Sequence, residues 1–373
     1  MRNKFLHEYV ENPNTKLVVI TLTNSCNLEC TYCYEHNKAI SFMDDKTALN
    51  IIEKELCKDD GVDFVAFQFF GGEPFIAFEQ LKKIYDFLES HTWKKEWCGF
   101  MTTNGTLVHG EVQDWILEHS DRIELYLSID GTRDMHNRNR CNSYDDIDIE
   151  FFAREYPTAK MTISSETLPG LAEGTIHLHE LGFTVNSTTG HGIDWKEKDA
   201  DILAEQMNKL SEYYMAHPWL TPSTILNLES IMDMDPYTET PKHFCGISSM
   251  MRSYDVDGRD YPCHAFAPLA IGKEKAEAAK NIDFSRPLSR DMLNDKCKEC
   301  PIVGQCPTCY AINFRESGNI FTISDKACII AKVRFLCNAK FQYWRYEAGL
   351  LNLTESEELR FLKNIRALQE IEF

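Results

Sequence analysis

The sequence lacks the long apolar runs and the excess of positive charge that would point to a membrane or a nucleic acid. No stretch of about 18 uninterrupted apolar residues occurs, and the first residues have neither the apolar core nor the cleavage site of a signal peptide. Lys and Arg number 39 against 58 Asp and Glu, a net charge of −19, which opposes binding to phosphate backbones. We therefore expect a cytoplasmic protein that binds neither nucleic acid nor membranes.

Cysteine, by contrast, is abundant, with 14 residues in a chain of 373. In a reducing compartment this number indicates metal ligation rather than disulfides. Three cysteines lie close together, three are scattered and the others are concentrated towards the end. In order, they are Cys26, Cys30 and Cys33, then Cys57, Cys98 and Cys141, then eight between Cys245 and Cys337. This distribution predicts two sites in two domains.

From about residue 16 to 225, six apolar and β-branched runs alternate with amphipathic stretches. The runs are residues 17–23, 64–70, 99–104, 123–129, 159–165 and 183–189. Helical spacing is clear between the second and third runs, where Leu81, Ile84, Tyr85 and Leu88 fall on one face. The alternation predicts an α/β fold with a parallel sheet, and six strands favour a partial barrel over a closed one.

The pattern changes after about residue 226. Residues 245–328 are rich in Cys, Gly, Pro and Asp, as expected where metal clusters replace an apolar core. Residues 329–348 then predict a helix, and Thr354 with Glu357 predicts a capping box for a last helix to about residue 371. We expect a barrel over 1–225, a small cysteine-rich domain over 226–340 and a helical extension over 341–373.

The first three cysteines form a C-x3-C-x2-C loop directly after the first predicted strand. Three thiolates on a short loop can hold three irons of a [4Fe–4S] cube and leave the fourth iron open. A zinc site is the alternative, but structural zinc takes four ligands and only His36 could add one locally. The position favours iron–sulfur chemistry, because ligand-binding loops of parallel barrels follow the carboxyl ends of strands.

This loop, with Tyr32 before its last cysteine, resembles the signature of the radical S-adenosylmethionine (SAM) superfamily. The resemblance implies a partial (β/α)6 barrel and a cluster whose open iron binds SAM and cleaves it to methionine and a 5′-deoxyadenosyl radical. That radical takes a hydrogen atom from the substrate. Cys26, Cys30 and Cys33 would thus be both metal ligands and catalytic residues, and an electron donor such as flavodoxin or ferredoxin is implied.

Other residues resemble SAM contacts of that superfamily. Gly71-Gly72-Glu73-Pro74 is similar to its GGEP element, whose backbone and carboxylate bind the SAM ammonium, and paired glycines allow a close backbone approach. Arg140 resembles the arginine that holds the SAM carboxylate, with Arg138 as a competitor. The residues implied to contact SAM are Tyr32, Gly71, Gly72, Glu73, Thr102, Asn104, Ser128, Asp130 and Arg140.

The later cysteines are similar to the SPASM domain, a module with two auxiliary clusters. The pattern includes Asp257-Gly258 at a hairpin and departs from the usual spacing only in x2 between Cys306 and Cys309. Two zinc ribbons are the alternative. The resemblance implies one cluster on Cys245, Cys263 and Cys309 and another on Cys297, Cys300, Cys306 and Cys328. With the first loop this makes three [4Fe–4S] clusters.

The first auxiliary set has three cysteines, so its fourth iron is either open to a substrate thiolate or held by another residue. His264 follows Cys263 and could reach that iron. It also occupies the position at which anaerobic sulfatase-maturating enzymes have a proton-accepting aspartate, and histidine can accept a proton near neutral pH. We expect the remaining four cysteines to be buried small side chains: Cys57, Cys98, Cys141 and Cys337.

SPASM enzymes most often modify ribosomally made peptides or proteins. The resemblance therefore implies a precursor-peptide substrate and an oxidative modification, foremost a thioether or carbon–carbon cross-link. The alternatives are sulfatase maturation to formylglycine, epimerisation with Cys98 or Cys141 as hydrogen donor, a small-molecule dehydrogenase, and a non-enzymatic iron–sulfur or zinc scaffold. Only 16 residues precede the first strand, so we expect leader recognition by the barrel, the C-terminal helices or a separate leader-binding protein.

Overall fold

The computed structural model describes residues 14–371 except 241–244, 246, 248, 249 and 285–287. The expectations about a signal peptide and a leader-binding domain concern residues 1–13, which lie outside this range. Eight strands are described: β1 (Thr15–Thr23), β2 (Phe64–Gly71), β3 (Glu96–Thr103), β4 (Ile123–Ser128), β5 (Thr158–Ile163), β6 (Thr184–Thr189), β7 (Met251–Tyr254) and β8 (Asp260–Tyr261).

The helices lie between and after these strands. The described helices are α1 (Asp45–Cys57), α2 (Phe78–Ser90), α3 (Glu111–Glu118), α4 (Arg133–Asn139), α5 (Ile149–Glu155), α6 (Leu171–Glu180), α7 (Asp199–Ala216), α8 (Glu229–Met232), α9 (Pro268–Ile271), α10 (Lys273–Ala279), α11 (Asp295–Lys298), α12 (Tyr310–Ser317), α13 (Asp325–Glu347) and α14 (Glu355–Leu368). Among the residues so described, no helix is long and apolar enough to span a membrane.

The six strands predicted from the sequence are confirmed as β1 to β6, each within a few residues of the expected bounds. The predicted face of α2 is buried, with Leu81, Ile84, Tyr85 and Leu88 on it. The capping box of α14 is also confirmed, since the Thr354 side chain and Glu357 bond reciprocally. That helix ends at Leu368, slightly before the expected residue 371.

The chain divides into two contact units, of which the first comprises Met1–Ser128, Arg140–Thr158 and Gly246–Ser285. Its strands have the order β4-β3-β2-β1-β7-β8. Strands β1 to β4 and β7 are parallel, and β8 is antiparallel to β7. Strand β2 is buried along most of its length, which fits a parallel sheet covered on both faces.

The hairpin of β7 and β8 extends this sheet beyond β1. Leu17 pairs with Met251 and Ile20 with Tyr254. The predicted turn is confirmed at Gly258, whose φ of +75° favours glycine. The hairpin therefore belongs to the same unit as β1, while the predicted domain boundaries at residues 225 and 340 stay a prediction.

A buried ionic network joins β1, α1 and β7 in the first unit. The Lys16 ammonium is paired with the Glu55 carboxylate, and both residues are less than a tenth exposed. Tyr254 donates its hydroxyl to the other oxygen of Glu55 at 2.5 Å. Burial raises the pKa of Glu55, but hydrogen bonds from Lys16 and Tyr254 outweigh it and leave that pKa lowered. The carboxylate is thus charged and fully partnered at neutral pH.

We expect Glu55→Gln to lower the free energy of unfolding by about 3 kcal/mol, because it removes the close ion pair of the buried Lys16 ammonium and leaves only the Asp60 carboxylate at 3.9 Å. Urea denaturation of the purified chain measures the change. The matched control is Glu79→Gln, which breaks the exposed pair with Lys82 and should change stability little. Equal midpoints for the two variants would contradict the importance of the buried pair.

The second unit comprises Ile129–Asn139, Ala159–Cys245 and Arg286–Phe373. It contains neighbouring strands β5 and β6 and a helical group in which α13 contacts α7, α8 and α14. Its apolar core is formed by Ile231, Met234, Ile302, Ala331, Phe335, Ala339, Phe361 and Leu368. Cys300 and Cys306 pack against this core, so the cysteine-rich segment is attached to the C-terminal helices.

Candidate iron–sulfur and SAM site

The first cysteine loop follows the carboxyl end of β1, as predicted, and its three cysteines are partly buried. Burial raises the pKa of Cys26 and of Cys33, and the Lys38 ammonium opposes this in both. Burial lowers the pKa of Lys38, but Cys33, Cys26 and Cys30 outweigh it and leave that pKa raised. Lys38 therefore supplies the positive charge for all three thiols.

The paired glycines at the end of β2 bring the chain close to this loop. Gly72 donates its N–H to the Thr23 carbonyl at 3.1 Å, and Glu73 donates to the Ser25 carbonyl at 2.9 Å. A Cβ on Gly71 would lie 2.4 Å from the Thr23 oxygen. On Gly72 it would lie 2.5 Å from the Ser25 oxygen and 2.8 Å from the Cys26 Cβ. The sequence suggested close approach to a ligand, whereas the structure shows close approach to the chain's own cysteine loop.

The Glu73 carboxylate is buried between the ends of β2 and β3. It accepts hydrogen bonds from the Thr103 hydroxyl at 2.8 Å, the Asn104 N–H at 2.8 Å and the Phe75 N–H at 3.2 Å. Burial raises the pKa of Glu73 to about 7, against the opposing effect of these donors and of Arg140. A nearby ligand cation would stabilise its charged form, which fits the ammonium predicted at this position.

Arg140 is buried and lies beside the cysteine loop, with its guanidinium 5.3 Å from the centre of the Tyr32 ring. This geometry is a cation–π contact. Arg138, its competitor, is exposed on α4. Burial and the Tyr32 contact therefore favour Arg140 over Arg138, and the contact of Arg140 with the SAM carboxylate stays a prediction.

The other predicted SAM contacts differ in their surroundings. Asn104 donates its side-chain N–H to Asn27 of the cysteine loop at 2.9 Å. Thr102 is a partly buried residue of β3 and Ser128 a mostly buried residue of β4. Asp130 lies in the second unit, where it accepts from Asn139 at 3.1 Å and from the Thr162 N–H at 2.9 Å. These bonds hold the Asp130 carboxylate in place, and its contact with the ribose stays a prediction.

His264 lies in a short turn after Cys263 in the first unit. Its ring centre is 4.6 Å from that of Phe70, which precedes Gly71, and 6.2 Å from that of Tyr34, which follows Cys33. The structure thus brings His264 next to both parts of the predicted SAM site. Cys245 and Cys309 interact with each other in the second unit, so a shared cluster with Cys263 stays a prediction.

The second auxiliary set of cysteines lies within the second unit. Burial raises the pKa of Cys297 to about 11, with further contributions from Cys328 and Cys300. Burial also raises the pKa of Cys306, and the thiols of Cys300, Cys328 and Cys297 raise it further. Among the described residues, no three His, Cys, Asp or Glu side chains are grouped to hold a single metal ion. A set of four cysteines is the usual ligand set of a [4Fe–4S] cluster.

The expectation of burial is wrong for two of the four remaining cysteines. Cys57 is exposed, because it is the last residue of α1. Cys141 is exposed in a left-handed turn with φ of 58°, and its Sγ accepts from the Glu29 N–H at 3.2 Å. Cys98 is buried against Phe64 and Ala66, as expected, and Cys337 is partly buried.

Sequence reasoning did not single out Lys38 or Glu35. The Glu35 carboxyl is buried, which raises its pKa to about 8 against the opposing charge of Lys38. Neither residue belongs to a recognisable sequence motif, and only their closeness to Cys33 along the chain points to them.

Residues 15–143 match a family described as a 4Fe-4S single cluster domain. A cysteine-type anaerobic sulfatase-maturating enzyme of Clostridium perfringens is 29% identical over 339 residues, which cover 77% of this chain and 86% of that enzyme. The radical SAM cyclopropyl synthase TigE of Paramaledivibacter caminithermalis is 19% identical over 369 residues, covering 89% of this chain and 76% of TigE.

Two solved structures share the fold. The structure named anSMEcpe with bound AdoMet has a TM-score of 0.69 at 17% identity, covering 91% of this chain and 100% of that one. Streptococcus suis SuiB bound to its precursor peptide SuiA has a TM-score of 0.56 at 16% identity, covering 87% and 78%. These two likenesses show the fold. The chain belongs to the radical SAM SPASM family.

This radical SAM chain is therefore an iron–sulfur enzyme, and its cofactors include a [4Fe–4S] cluster and SAM. The predicted α/β fold class with a parallel sheet is confirmed. The residues around Cys26, Cys30 and Cys33 fit such a cluster, because three thiols share one loop with a lysine close to all of them. The number of clusters and their individual ligands stay proposals.

Proposed function

We propose that this enzyme is a peptide or protein maturase that oxidatively modifies a ribosomally made substrate, foremost by a thioether or carbon–carbon cross-link. When bound, the cluster and SAM supply a radical that removes a hydrogen atom from the substrate. The observation that carries the proposal is the combination of two sites in one chain. The cysteine loop packs onto the Gly72-Glu73 element, and a separate set of four mutually interacting cysteines lies in the second unit.

In this proposal, the residues of the first unit bind and orient SAM. Glu73 would accept hydrogen bonds from the SAM ammonium, since its carboxylate is rigidly held by three donors. Arg140 would pair with the SAM carboxylate, and its stacking on Tyr32 fixes the guanidinium. Because a carboxylate would hold the SAM ammonium and a guanidinium would hold the SAM carboxylate, SAM would bind in one defined orientation.

Two auxiliary cysteine sets support net oxidation of the substrate. We propose Cys245, Cys263 and Cys309 as ligands of one auxiliary cluster and Cys297, Cys300, Cys306 and Cys328 as ligands of the other, giving three clusters. His264 would accept the proton that the substrate loses, since histidine can serve as a general base and the ring of His264 lies beside Phe70 and Tyr34. Flavodoxin or ferredoxin as electron donor and a separate leader-binding protein complete the proposal.

Known relatives support a peptide substrate. SuiB is known with its precursor peptide SuiA, and anSMEcpe is known with a peptide named Cp18Cys. The second candidate function is sulfatase maturation, which the match over 86% of the Clostridium perfringens enzyme favours. The histidine at position 264, where the maturases have an aspartate, favours the first candidate.

Mass spectrometry of a candidate substrate tests the proposal. The purified enzyme is incubated without oxygen with SAM, a reductant and a small cysteine-containing peptide encoded beside its gene. We expect loss of two hydrogens and blocked fragmentation across a span that contains the cysteine. Replacement of the thiol by an aldehyde would instead support sulfatase-type chemistry.

The control is the same peptide with its cysteine replaced by alanine, which should lose the product if the link is a thioether and keep it if the link joins two carbons. An unchanged mass with a changed residue configuration would establish epimerisation. Unmodified peptide despite abundant 5′-deoxyadenosine would contradict the cross-linking proposal for that peptide, and sulfatase-derived peptides would be tested next.

A further inference from the structure

A closed ring of three hydrogen bonds joins side chains that follow β1 and β3 in the first unit. The Asn27 amide N–H donates to the Thr106 hydroxyl at 2.8 Å, and that hydroxyl donates to the Asn104 side-chain carbonyl at 2.8 Å. The Asn104 amide N–H donates back to the Asn27 side-chain carbonyl at 2.9 Å. Because every donor points the same way around this hydrogen-bond ring, its bonds strengthen one another.

Thr106 fixes the orientation of the Asn104 side chain within the hydrogen-bond ring. Besides the hydroxyl, the backbone N–H of Thr106 donates to the same carbonyl oxygen of Asn104, at 3.0 Å. The Asn104 side chain thus forms three of the four hydrogen bonds that an asparagine can form. These bonds hold its amide against the cysteine loop.

The backbone of Asn104 connects the hydrogen-bond ring to the Glu73 carboxylate. Its N–H donates to Oε2 of Glu73 at 2.8 Å, and both residues are less than a tenth exposed. The Glu73 main chain is tied to the start of the loop by its bond to the Ser25 carbonyl. The ring adds a second tie, from the Glu73 carboxylate to Asn27, the residue after Cys26.

The cysteine loop has two further anchors. The Leu28 carbonyl accepts from the Lys38 ammonium at 2.8 Å, and the Glu29 N–H donates to the Cys141 sulfur at 3.2 Å. Neither anchor includes Glu73. The loop therefore keeps contacts of its own if the hydrogen-bond ring opens, while the tie between its interior and the Glu73 carboxylate is lost.

We propose that Thr106 and Asn27 are positioning residues for SAM cleavage, because the hydrogen-bond ring sets the separation between the cysteine loop and the Glu73 carboxylate. The inference rests on the proposed function, which assigns a [4Fe–4S] cluster to the loop and the SAM ammonium to Glu73. The loop and the carboxylate would contact one SAM molecule at the same time. Affinity for SAM and the rate of its cleavage would then both depend on that separation.

Electron paramagnetic resonance of the reduced holoenzyme, titrated with SAM and frozen before cleavage proceeds, tests the proposal. SAM at the open iron changes the spectrum of the cluster, so the titration measures affinity apart from activity. Thr106→Val replaces the hydroxyl by a methyl group of similar size. At the iron content of the parent, we expect it to need about tenfold more SAM and to form 5′-deoxyadenosine about tenfold more slowly. Thr106→Ser keeps the hydroxyl and should recover most of both.

Thr224→Val is the matched control. Thr224 is also partly buried and donates its hydroxyl to the Asn186 side chain at 3.0 Å, but it lies in the second unit. This variant should bind and cleave SAM as the parent does. Parent-like affinity and rate in Thr106→Val, at equal iron content, would overturn the proposal. So would equal losses in both valine variants, since the effect would then be a general cost of removing a threonine hydroxyl.

If Thr106→Val loses iron, Asn27→Ala decides, because Asn27 is an exposed residue of the loop whose removal also opens the hydrogen-bond ring. A weaker affinity for SAM at full iron content supports the proposal, and a parent-like affinity overturns it. Loss of iron from both variants overturns it as well, since the ring would then hold the cluster itself and not its separation from Glu73.

The parent enzyme separates this proposal from the one on which it rests. If SAM neither changes its spectrum nor gives 5′-deoxyadenosine, the assigned SAM site fails and the proposal with it. If the parent shows both and Thr106→Val behaves in the same way, the SAM site stands and only the role of the hydrogen-bond ring fails.

Discussion

Replacing Cys30 with alanine is expected to abolish the formation of 5′-deoxyadenosine from SAM. Cys30 is the central cysteine of the loop after β1, and three thiolates are needed to hold three irons of a cube that has one open iron. With two thiolates the cluster has no stable ligand set. Chromatography of anaerobic reactions that contain SAM and dithionite measures the product, which should fall to the level found without enzyme.

The control for this experiment is Cys57→Ala, at the exposed last residue of α1, which should leave SAM cleavage unchanged. Iron analysis distinguishes loss of one cluster from loss of the fold, since the Cys30→Ala protein should keep the iron held by the auxiliary cysteines. Formation of 5′-deoxyadenosine by Cys30→Ala would overturn the assignment of this loop as the SAM-cleaving site.

The second large effect is expected for Gly72→Ala, a change of one methyl group. Its Cβ would lie 2.5 Å from the Ser25 carbonyl oxygen and 2.8 Å from the Cys26 Cβ, so the cysteine loop has to move. Displacement of a reacting group by about 1 Å can lower a rate about 10²-fold. We expect SAM cleavage to fall by about that factor, measured as 5′-deoxyadenosine formed per minute.

Gly61→Ala is the matched control for a glycine substitution. Gly61 has a φ of +73° and nothing within 4 Å of an added Cβ, so alanine there adds backbone strain without a clash. Similar activities of the two variants would mean that the contact between Gly72 and the cysteine loop is unimportant. A loss confined to Gly72→Ala would assign the effect to that contact.

The six strands of the α/β part and the position of the cysteine loop could be predicted from the sequence. Buried strands such as β2 are continuous apolar runs, and the spacing of Cys26, Cys30 and Cys33 is itself a local pattern. Both signals lie within short segments. Their positions in the structure follow because the carboxyl ends of parallel strands share one edge of a sheet.

Interactions between distant or isolated residues could not be predicted in this way. Nothing in the sequence pairs β7 with β1, because the pairing depends on backbone groups more than two hundred residues apart. Lys38 belongs to no repeat or spacing pattern, and its importance comes from the thiols that the fold brings beside it. The need for glycine at position 72 is also not visible in the sequence, because it comes from the close approach of Ser25 in the folded chain.

The pairing of β1 with β7 has a consequence for biosynthesis. Strand β1 leaves the ribosome more than two hundred residues before its partner Met251–Tyr254. At a synthesis rate of about 5–20 residues per second, about 10 to 50 seconds pass between the synthesis of β1 and that of its partner strand. During this interval the cysteine loop adjoins a sheet that still lacks β7 and β8. The nascent chain thus has a time window in which the edge of β1 next to the cysteine loop has unpaired backbone groups.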